Sequence, residues 1–388
     1  MTTHKKYFIQ TFGCQANKAD SERIAGDYQN RGYIETTNWK EANDIIINTC
    51  SVRQRAEDRV IGFLYNIEKY LNNEAKKKKS FKIILTGCML HHDKETLEEK
   101  MPLVDEFLPI SEVGFNIPSI RKDKKHAFVP ISNGCNSFCT YCIVPYSRGR
   151  EVSRPMKDVI NEVKKLVDSG YEEITLLGQN VNSYGLEKIG VSLRKKMIGK
   201  KTFSRKDLPS NESQYLDFKD LPPFVKLIQE ISNFKGLKII RFMSANPWDF
   251  HDELIAEIGK NKKIDRFVHI AVQSGSNNVL YRMNRGYTRE DYILLIKKLK
   301  KADKNITVGT DIIVGFPGET DEEFNETLDL AKTIKWKVGF VNIYSPRPGT
   351  AADKLYKDDI PHIIKKKRWL ILEKEINRKN LSNRPKVV

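Results

Sequence analysis

Three apolar segments in the first third of the chain each lead directly into a cysteine. They occupy residues 6–14, 43–50 and 81–88. Apolar runs of this length are typical of strands that are buried in a parallel sheet. Helical patterns at residues 18–32 and 51–72 separate the three runs, which predicts a β-α-β-α-β order.

The three cysteines are expected to meet at one edge of this sheet. Cys14, Cys50 and Cys88 each follow the last residue of a predicted strand. The carboxyl ends of parallel strands share one edge, where open α/β folds bind their ligands. Coincidence is the alternative, because cysteine is also a common buried residue. The same position at three strand ends favours a shared site.

A second series of strand and helix patterns begins at residue 127. Capping-box patterns begin at Thr288 and Thr320, and Gly170 is a helix stop. Six βα units are two short of a closed eight-stranded barrel. The predicted fold class is therefore α/β, with an N-terminal open parallel-sheet domain followed by a partial TIM-like barrel of about six strands. The predicted barrel strands are residues 127–132, 173–178, 237–244, 266–273, 306–314 and 338–344.

The chain is strongly basic, with 67 Lys and Arg against 50 Asp and Glu and a formal charge of +17. Such a balance suits a nucleic-acid partner, and a generally lysine-rich composition is the alternative. Much of the excess is local. Residues 186–206 hold eight Lys and Arg against one Glu, and residues 362–388 hold nine against two. This concentration favours RNA contact.

Three regions are expected along the chain. The tail carries a helical pattern up to about Asn380, and we interpret residues 186–217 as a basic insertion in the barrel. No apolar run approaches the roughly 20 residues that cross a bilayer, and no secretory signal follows the first lysines, so we expect a cytoplasmic protein without a membrane partner. The expected regions are an N-terminal domain at 1–118, the barrel at 122–360 and the basic tail at 361–388.

The loop after the first barrel strand carries a cysteine motif with metal-binding spacing. Its sequence, from Gly134, contains Cys135, Cys139 and Cys142 as C-x3-C-x2-C. Three thiolates can bind three irons of a 4Fe–4S cluster, which leaves one iron open for a small molecule. Zinc is the alternative, but it usually takes four protein ligands from C-x2-C pairs. His126, the nearest fourth ligand, lies before the strand.

This motif, placed ahead of a βα series, resembles the radical S-adenosylmethionine (SAM) superfamily. The resemblance implies that SAM chelates the open iron and that an electron from the cluster splits it into methionine and a 5′-deoxyadenosyl radical. The cofactor then supplies the chemistry, while the protein positions it and excludes water. Tyr141 matches the aromatic position whose backbone meets the adenine in that superfamily.

The N-terminal motifs are similar to the methylthiotransferase domain of that superfamily. The resemblance implies a second 4Fe–4S cluster on Cys14, Cys50 and Cys88, again with one iron open. One cluster then makes the radical that abstracts a hydrogen atom, and the other presents the sulfur that is inserted and that a second SAM methylates. The matching segments are Thr11-Phe-Gly-Cys14-Gln-Ala-Asn17, Asn48-Thr-Cys50-Ser-Val-Arg53 and Thr86-Gly-Cys88.

Further matches to this family run through the barrel, including Met283-Asn-Arg285-Gly-Tyr287 and Tyr344-Ser-Pro346-Arg347. Several residues at predicted strand ends are candidates to bind SAM. For each one alone, the alternative is an ordinary turn residue or strand cap. Their shared location at the carboxyl ends supports the assignment. These candidates are Tyr141, Gln179, Asn180, Ser244, Gln273, Val314 and Phe316.

Three branches of the family differ in substrate. One acts on dimethylallyl-adenosine beside the tRNA anticodon, one on threonylcarbamoyl-adenosine in tRNA, and one on an aspartate of a ribosomal protein. The sequence motifs around Cys14 and Cys50 resemble those of the first branch, although that branch often has Met in place of Ala16 and His in place of Asn246. The resemblance therefore implies insertion of a methylthio group at carbon 2 of dimethylallyl-adenosine, with the other two substrates as alternatives.

The implied partners are a tRNA anticodon stem-loop, a flavodoxin- or ferredoxin-like electron donor and a sulfur source, and the expected oligomeric state is a monomer. Phosphates attract basic side chains, and a loop base can be splayed out for modification. Candidates for RNA contact are Arg148, Arg150 and Arg154. The family normally continues into a small β-barrel RNA-binding domain called TRAM, and we expect this chain, ending at Val388, to lack it.

A hypothesis from another class is a non-catalytic RNA-binding protein that uses its cysteines only as structural ligands. Two sets of three cysteines make poor structural sites, because each leaves a metal position open. The cysteine count therefore favours the enzyme.

Overall fold

The computed structural model describes residues 4–51, 54–73, 81–115, 117–187 and 221–378. The chain divides into two compact units. The first comprises Met1–Lys124 with Ile143–Arg150, and the second comprises Lys125–Cys142 with Glu151–Val388. A short segment that follows the third cysteine of the C-x3-C-x2-C loop thus packs within the first unit. The predicted insertion lies outside the described residues from residue 188 onward, as does the tail from residue 379.

The first unit is built on a five-stranded parallel sheet with strand order β2-β1-β3-β4-β5. The three predicted strands and the two helices between them are present. The edge strands β2 and β5 were not predicted, because two or three residues are too short to show a period. The strands are β1 (Lys6–Phe12), β2 (Ile34–Glu35), β3 (Asp44–Thr49), β4 (Lys82–Gly87) and β5 (Glu106–Leu108). The helices are α1 (Gln15–Asn30), α2 (Gln54–Asn73), α3 (Lys94–Lys100) and α4 (Val144–Ser147).

Both faces of this sheet are buried, which explains why its strands are continuously apolar. Ile45 and Ile47 of β3 pack on one face with Val60 of α2. Ile46 lies on the other face with Ile24 of α1. Successive strand residues point to opposite faces, so a strand covered on both sides needs apolar residues at every position.

The second unit contains six parallel strands in chain order. Strands β6, β9 and β10 form one group and β11, β12 and β13 another, and single bridges from Ile240 to Ile264 and from Ala245 to Ile270 join the two groups. This is the open, six-stranded partial barrel that the sequence predicts. A two-stranded antiparallel hairpin, β7 with β8, was not predicted. The strands are β6 (His126–Pro130), β7 (Ser132–Asn133), β8 (Val152–Ser153), β9 (Glu173–Leu177), β10 (Ile239–Phe242), β11 (Phe267–His269), β12 (Thr307–Val314) and β13 (Val338–Ile343).

The helices of the second unit start where the sequence signals place them. The side chains of Thr288 and Thr320 both form the predicted capping boxes, with Asp291 and Glu323. The tail is helical through the π-helix Glu373–Asn377. Within the described ranges, no helix is long and apolar enough to span a membrane. The helices are α5 (Met156–Asp168), α6 (Pro223–Ser232), α7 (Asp252–Lys260), α8 (Asn277–Arg282), α9 (Arg289–Ala302), α10 (Asp321–Ile334), α11 (Ala351–Leu355) and α12 (His362–Leu372).

Candidate metal centres

The register of the first sheet aligns the three strand ends that lead into cysteines. Phe12 of β1 pairs with Thr49 of β3, and Thr49 pairs with Gly87 of β4. The residues that follow these paired positions carry Cys14, Cys50 and Cys88. The strand ends therefore lie side by side at one edge of the sheet, as predicted. None of the six cysteines, which all lie in the described residues, forms a disulfide; Cys14 is exposed, whereas Cys50 and Cys88 are buried.

A chain of hydrogen bonds ties the Cys14 loop to the Cys50 loop. Asn17 is fully buried, and its Oδ1 accepts from the Cys14 amide at 3.3 Å and from the Cys14 thiol at 3.4 Å. Its Nδ2 donates to Asn48 Oδ1 at 2.9 Å and to the Thr49 carbonyl at 3.0 Å. In return, Asn48 Nδ2 donates to the Asn17 carbonyl at 2.8 Å. The two cysteine loops are therefore held in a fixed relation.

The same network continues to the Cys88 loop through Thr49. The Thr49 hydroxyl donates to the Thr86 carbonyl at 2.7 Å and accepts from the Met89 amide at 3.3 Å. Gly87 precedes the cysteine with φ +99°, and a Cβ there would meet the Thr49 carbonyl oxygen at 2.3 Å. Only glycine fits this approach without strain. The motif Thr86-Gly87-Cys88 thus places the third thiol against its neighbours.

A buried arginine lies beside Cys88. Arg148, which follows α4 in the first unit, donates from Nε to Cys88 Sγ at 3.3 Å. Its Nη2 donates to Asp20 Oδ2 at 2.7 Å, and Asp20 also pairs with Arg23 at 2.5 Å. The Arg148 and Asp20 side chains are both less than 5% exposed. A cation this close to a sulfur favours a negatively charged ligand there.

The second group of cysteines lies on the loop after β6. Cys135 and Cys139 are buried and Cys142 is partly buried. Gly134 at φ +76° and Phe138 at φ +45° turn this loop tightly. Burial raises the pKa of the Cys135 thiol to about 11. A metal would have to displace that proton on binding.

Two side chains from other elements donate to the sulfurs of this loop. Asn180 Nδ2 donates to Cys135 Sγ at 3.0 Å and to the Ser137 hydroxyl at 2.7 Å. Arg285 Nη1 donates to Cys139 Sγ at 3.1 Å. The loop is also fixed by the Asn284 side chain, whose Nδ2 donates to the Phe138 carbonyl at 3.0 Å. Such bonds orient metal ligands and tune the metal that they hold.

The number of thiols in each group distinguishes between an iron–sulfur cluster and zinc. Three cysteines can bind three irons of a four-iron cluster and leave the fourth iron open for a small molecule, whereas a structural zinc ion usually takes four protein ligands. Both three-cysteine groups therefore suit a cluster better than zinc.

Two family models match the chain. The model described as Radical SAM superfamily matches residues 129–331, and the one described as Uncharacterized protein family UPF0004 matches residues 6–109. A tRNA-2-methylthio-N(6)-dimethylallyladenosine synthase of Clostridium botulinum (strain Langeland) is 40% identical over 406 residues, which cover 97% of this chain and 82% of that protein. The synthase of the same name from Thermotoga petrophila is 38% identical and covers 96% and 83%.

The chain belongs to the radical SAM methylthiotransferase family. It is therefore an enzyme that uses SAM and an iron–sulfur cluster. Among solved structures, the cobalamin-dependent SAM radical enzyme OxsB with aqua-cobalamin bound aligns with a TM-score of 0.51 at 11% identity. That alignment covers 96% of this chain and spans 56% of OxsB, and it supports the shared fold.

The methylthiotransferase presents several unsatisfied polar groups at the strand ends of its barrel. Among the described residues, the side-chain atoms buried there without a hydrogen-bond partner include Ser132 Oγ after β6, Gln179 Oε1 after β9, Asn246 Nδ2 after β10 and Ser276 Oγ after β11. Buried polar atoms normally have partners, so unsatisfied ones point to a ligand. The donor set at this edge, together with the three thiols of the loop after β6, fits the cluster and SAM.

Two other candidates for SAM binding adopt a strained backbone at the same edge. Ser244 has φ +63° and Gln273 has φ +70°, which residues other than glycine rarely adopt. Such strain concentrates at functional sites. The Ser244 carbonyl accepts from the Val181 amide at 3.4 Å, and the Gln273 amide donates to the Asp311 carbonyl at 2.8 Å. Both residues are thus fixed at strand ends.

Three apolar candidates lie in the interior of the barrel unit. Tyr141 and Phe316 pack in one cluster, and Val314 is fully buried. The Phe316 ring is covered by the rings of Tyr344 and Tyr356, with centroids at 5.2 and 5.8 Å. The Phe316 ring is therefore packed against these two rings, which leaves the backbone around it available to contact an adenine.

The three arginines that we expected to contact RNA differ in solvent exposure. Arg150 is exposed, whereas Arg148 and Arg154 are buried. Arg154 donates to the Pro130 carbonyl and pairs with Glu162, both at 2.7 Å. Arg148 lies at Cys88. Of the three, only Arg150 presents its side chain to solvent.

Sequence reasoning missed the residues that support the cysteines. Arg285 and Asn17 lie inside the family motifs but received no role, and Arg148 received a different one. The local signal for Arg285 is that it is the one arginine of the segment Met283–Tyr287, whereas Arg148 shares its segment with Arg150 and Arg154 and carries no such signal. Which sulfur such an arginine faces depends on tertiary packing.

Proposed function

We propose that this enzyme inserts a methylthio group at carbon 2 of dimethylallyl-adenosine next to the anticodon of tRNA. The observation that carries the proposal is a pair of three-cysteine centres in one chain, each supported by a buried arginine. The same chain is 40% identical, over almost its whole length, to a tRNA-2-methylthio-N(6)-dimethylallyladenosine synthase. Sulfur insertion at a C–H bond requires both a radical source and a sulfur carrier, which two centres can provide.

In this proposal each centre holds one 4Fe–4S cluster. Cys135, Cys139 and Cys142 hold the radical SAM cluster, and the strand-end loops hold the auxiliary cluster on Cys14, Cys50 and Cys88. When bound, the first cluster supplies the electron that cleaves SAM and the second carries the sulfur that is inserted.

The chain's own residues hold and shield these centres. Four of the six thiols are buried, and Arg148 and Arg285 donate hydrogen bonds to the sulfurs of Cys88 and Cys139. Asn180 orients Cys135. Gln179, Ser244 and Gln273 are placed at the strand ends to bind the polar parts of SAM, with Tyr141, Val314 and Phe316 around its adenine.

The RNA partner in this proposal is the anticodon stem-loop. Arg150 is the exposed candidate for a phosphate contact, and the basic segments at residues 186–206 and 362–388 add positive charge. Arg154 contributes to RNA binding only indirectly, because its guanidinium donates to the Pro130 carbonyl inside the fold. We further propose a cytoplasmic monomer whose partners are a flavodoxin- or ferredoxin-like electron donor and a sulfur source.

Selective loss of each centre tests the proposal. Replacing Cys14, Cys50 and Cys88 with Ala should lower the iron content of the anaerobically reconstituted chain from about eight to about four per chain. This variant should still form 5′-deoxyadenosine from SAM and should yield no 2-methylthio product on an anticodon stem-loop that carries dimethylallyl-adenosine.

The matched control is the reciprocal variant with Cys135, Cys139 and Cys142 replaced. It should also keep about four irons and should form neither 5′-deoxyadenosine nor product. Full product from the first variant, or SAM cleavage by the second, would defeat the assignment of the two centres.

A further inference from the structure

Arg285 is a buried cation at the cysteine loop of the second unit. Its guanidinium donates in three directions, to Cys139 Sγ at 3.1 Å, to the Ala271 carbonyl at 3.0 Å and to the Tyr287 hydroxyl at 3.1 Å. It also lies 4.7 Å from the ring centroid of Trp248. The side chain is therefore held firmly between the cysteine loop and the carboxyl end of β11.

The charge of Arg285 is not offset by a carboxylate of the described residues. Within those ranges Arg285 forms no ion pair with Asp or Glu. Its electrostatic partners are Tyr141, Tyr287 and Cys139. A buried charge without a partner costs several kcal/mol, so such charges normally have one. The uncompensated charge of Arg285 is aimed at a ligand sulfur.

The arginine at the first centre differs in this respect. Arg148 also donates to a cysteine sulfur, at 3.3 Å, but its other end pairs with Asp20 at 2.7 Å. That carboxylate, which also pairs with Arg23, offsets part of the positive charge beside Cys88. The two centres therefore have the same kind of hydrogen bond to sulfur, and of the two arginines Arg148 has a carboxylate partner whereas Arg285 has none among the described residues.

We propose that Arg285 is a positioning residue that orients Cys139 and raises the reduction potential of the cluster on its loop, while Asp20 weakens the corresponding effect of Arg148 at the other centre. The inference rests on the proposed function, since it requires a cluster at each centre. Reduction transfers one electron from a flavodoxin- or ferredoxin-like donor to the cluster, with no bond made or broken. A fixed positive charge beside a ligand sulfur stabilises the form with the added electron.

The test is a potentiometric titration of the radical SAM cluster, followed by electron paramagnetic resonance. The full chain carries Cys14, Cys50 and Cys88 as Ala, so that only this cluster contributes to the signal. Arg285→Gln removes the charge and Arg285→Lys keeps it. The matched control is Arg368→Gln, which removes a buried arginine of the same unit that pairs with Glu319 at 2.8 Å.

The proposal predicts a lower midpoint potential for Arg285→Gln and a potential nearer the parent for Arg285→Lys and Arg368→Gln. An unchanged potential in an Arg285→Gln protein that holds four irons would overturn it. If the Arg285→Gln protein fails to hold iron, the Arg285→Lys protein is the test. Four irons and a midpoint potential near that of the parent in Arg285→Lys would support the role of the positive charge. A loss of iron from Arg285→Lys equal to that from Arg285→Gln would overturn it.

The other half of the inference is tested at the auxiliary cluster. In a chain with Cys135, Cys139 and Cys142 replaced by Ala, Asp20→Asn should raise the midpoint potential, because the negative charge beside Arg148 is removed. No rise in a protein that keeps its iron would overturn this role of Asp20. A parent chain that binds no cluster at either loop would instead defeat the proposed function, before any arginine variant is compared.

Discussion

Asn17 shows how much of the first centre depends on residues that are not ligands. Its side chain contacts the backbone and thiol of Cys14 on one side and the Asn48 and Thr49 loop on the other. Each buried hydrogen bond contributes about 1 kcal/mol, and leaving its partner unsatisfied costs about 1–3 kcal/mol. The geometry of the three thiols is therefore set by an amide network as much as by the sheet.

Gly87 offers a sharp test of that geometry. Gly87→Ala combines an unfavourable positive φ with a close approach to the Thr49 carbonyl, so it should strain the Cys88 loop. Gly32→Ala is the matched control, since Gly32 has φ +82° in the same unit and a Cβ added there would meet no atom within 4 Å. The control should lose about 1–2 kcal/mol of unfolding free energy.

Gly87→Ala should lose about 2 kcal/mol more than the control. It should also bind less iron than the parent chain, while Gly32→Ala keeps the parent's iron content. Chemical denaturation and iron analysis of the two variants measure both effects. Equal behaviour of the two would show that the contact between Gly87 and Thr49 does not shape the centre.

The sequence predicted the cysteine ligands but not the arginines that donate hydrogen bonds to their sulfurs, and the reason is physical. A cysteine at the end of an apolar run, or in C-x3-C-x2-C spacing, is visible locally. Arg148 and Cys88 are 60 residues apart, and Arg285 and Cys139 are 146 apart. An arginine on its own favours a surface or phosphate role, so only packing reveals that these two face sulfur.

At the scale of elements, the loop after β12 depends on the tail helix. Glu319 Oε2 accepts from the Gly315 amide at 2.7 Å and from Arg368 of α12 at 2.8 Å. Arg368 also donates to the Glu319 carbonyl at 2.9 Å. The loop that follows Val314 is thereby fixed by a helix far along the chain. This arrangement gives the basic tail a structural role besides any contact with RNA.

The Glu319 carboxyl gives this loop a defined pH dependence. Burial raises its pKa from 4.5 to about 6, although Arg368 and the Gly315 amide act in the opposite direction. The folded chain therefore binds this proton more tightly than the unfolded chain. The stability from this group is complete below about pH 4.5 and is lost as the pH rises through 6, by about 2 kcal/mol in total.

Glu319→Gln should remove that dependence. As the pH rises from 4.5 to 7, the unfolding free energy of the parent should fall by about 2 kcal/mol relative to that of this variant. Denaturant titrations at several pH values measure it. A difference that stays constant across this range would contradict the assigned pKa.

Long elements were predictable from the pattern, and short ones were not. The isoleucine runs of the first sheet and the six barrel strands have enough residues to show burial on both faces. Strands β2 and β5, and the hairpin β7–β8, have two or three residues each. Nor does any local pattern show that Ile143–Arg150 packs in the first unit rather than the second.

At the scale of the whole molecule, the chain carries two cysteine centres in two separate units. The charge of +17 is concentrated in the segment at 186–206 and the tail. That distribution, together with the family, supports an RNA substrate. The fold could be predicted from the βα order, whereas the choice among the three substrate branches rested on the motifs around Cys14 and Cys50.

The central claim is that this chain thiomethylates dimethylallyl-adenosine in tRNA. The most direct measurement is nucleoside mass spectrometry of tRNA from a bacterial strain that lacks its own synthase and expresses the full chain. We expect 2-methylthio-dimethylallyl-adenosine to return with the full chain and not with the variant in which Cys14, Cys50 and Cys88 are Ala. Persistence of unmodified dimethylallyl-adenosine, with the methylthio group instead on threonylcarbamoyl-adenosine, would contradict it.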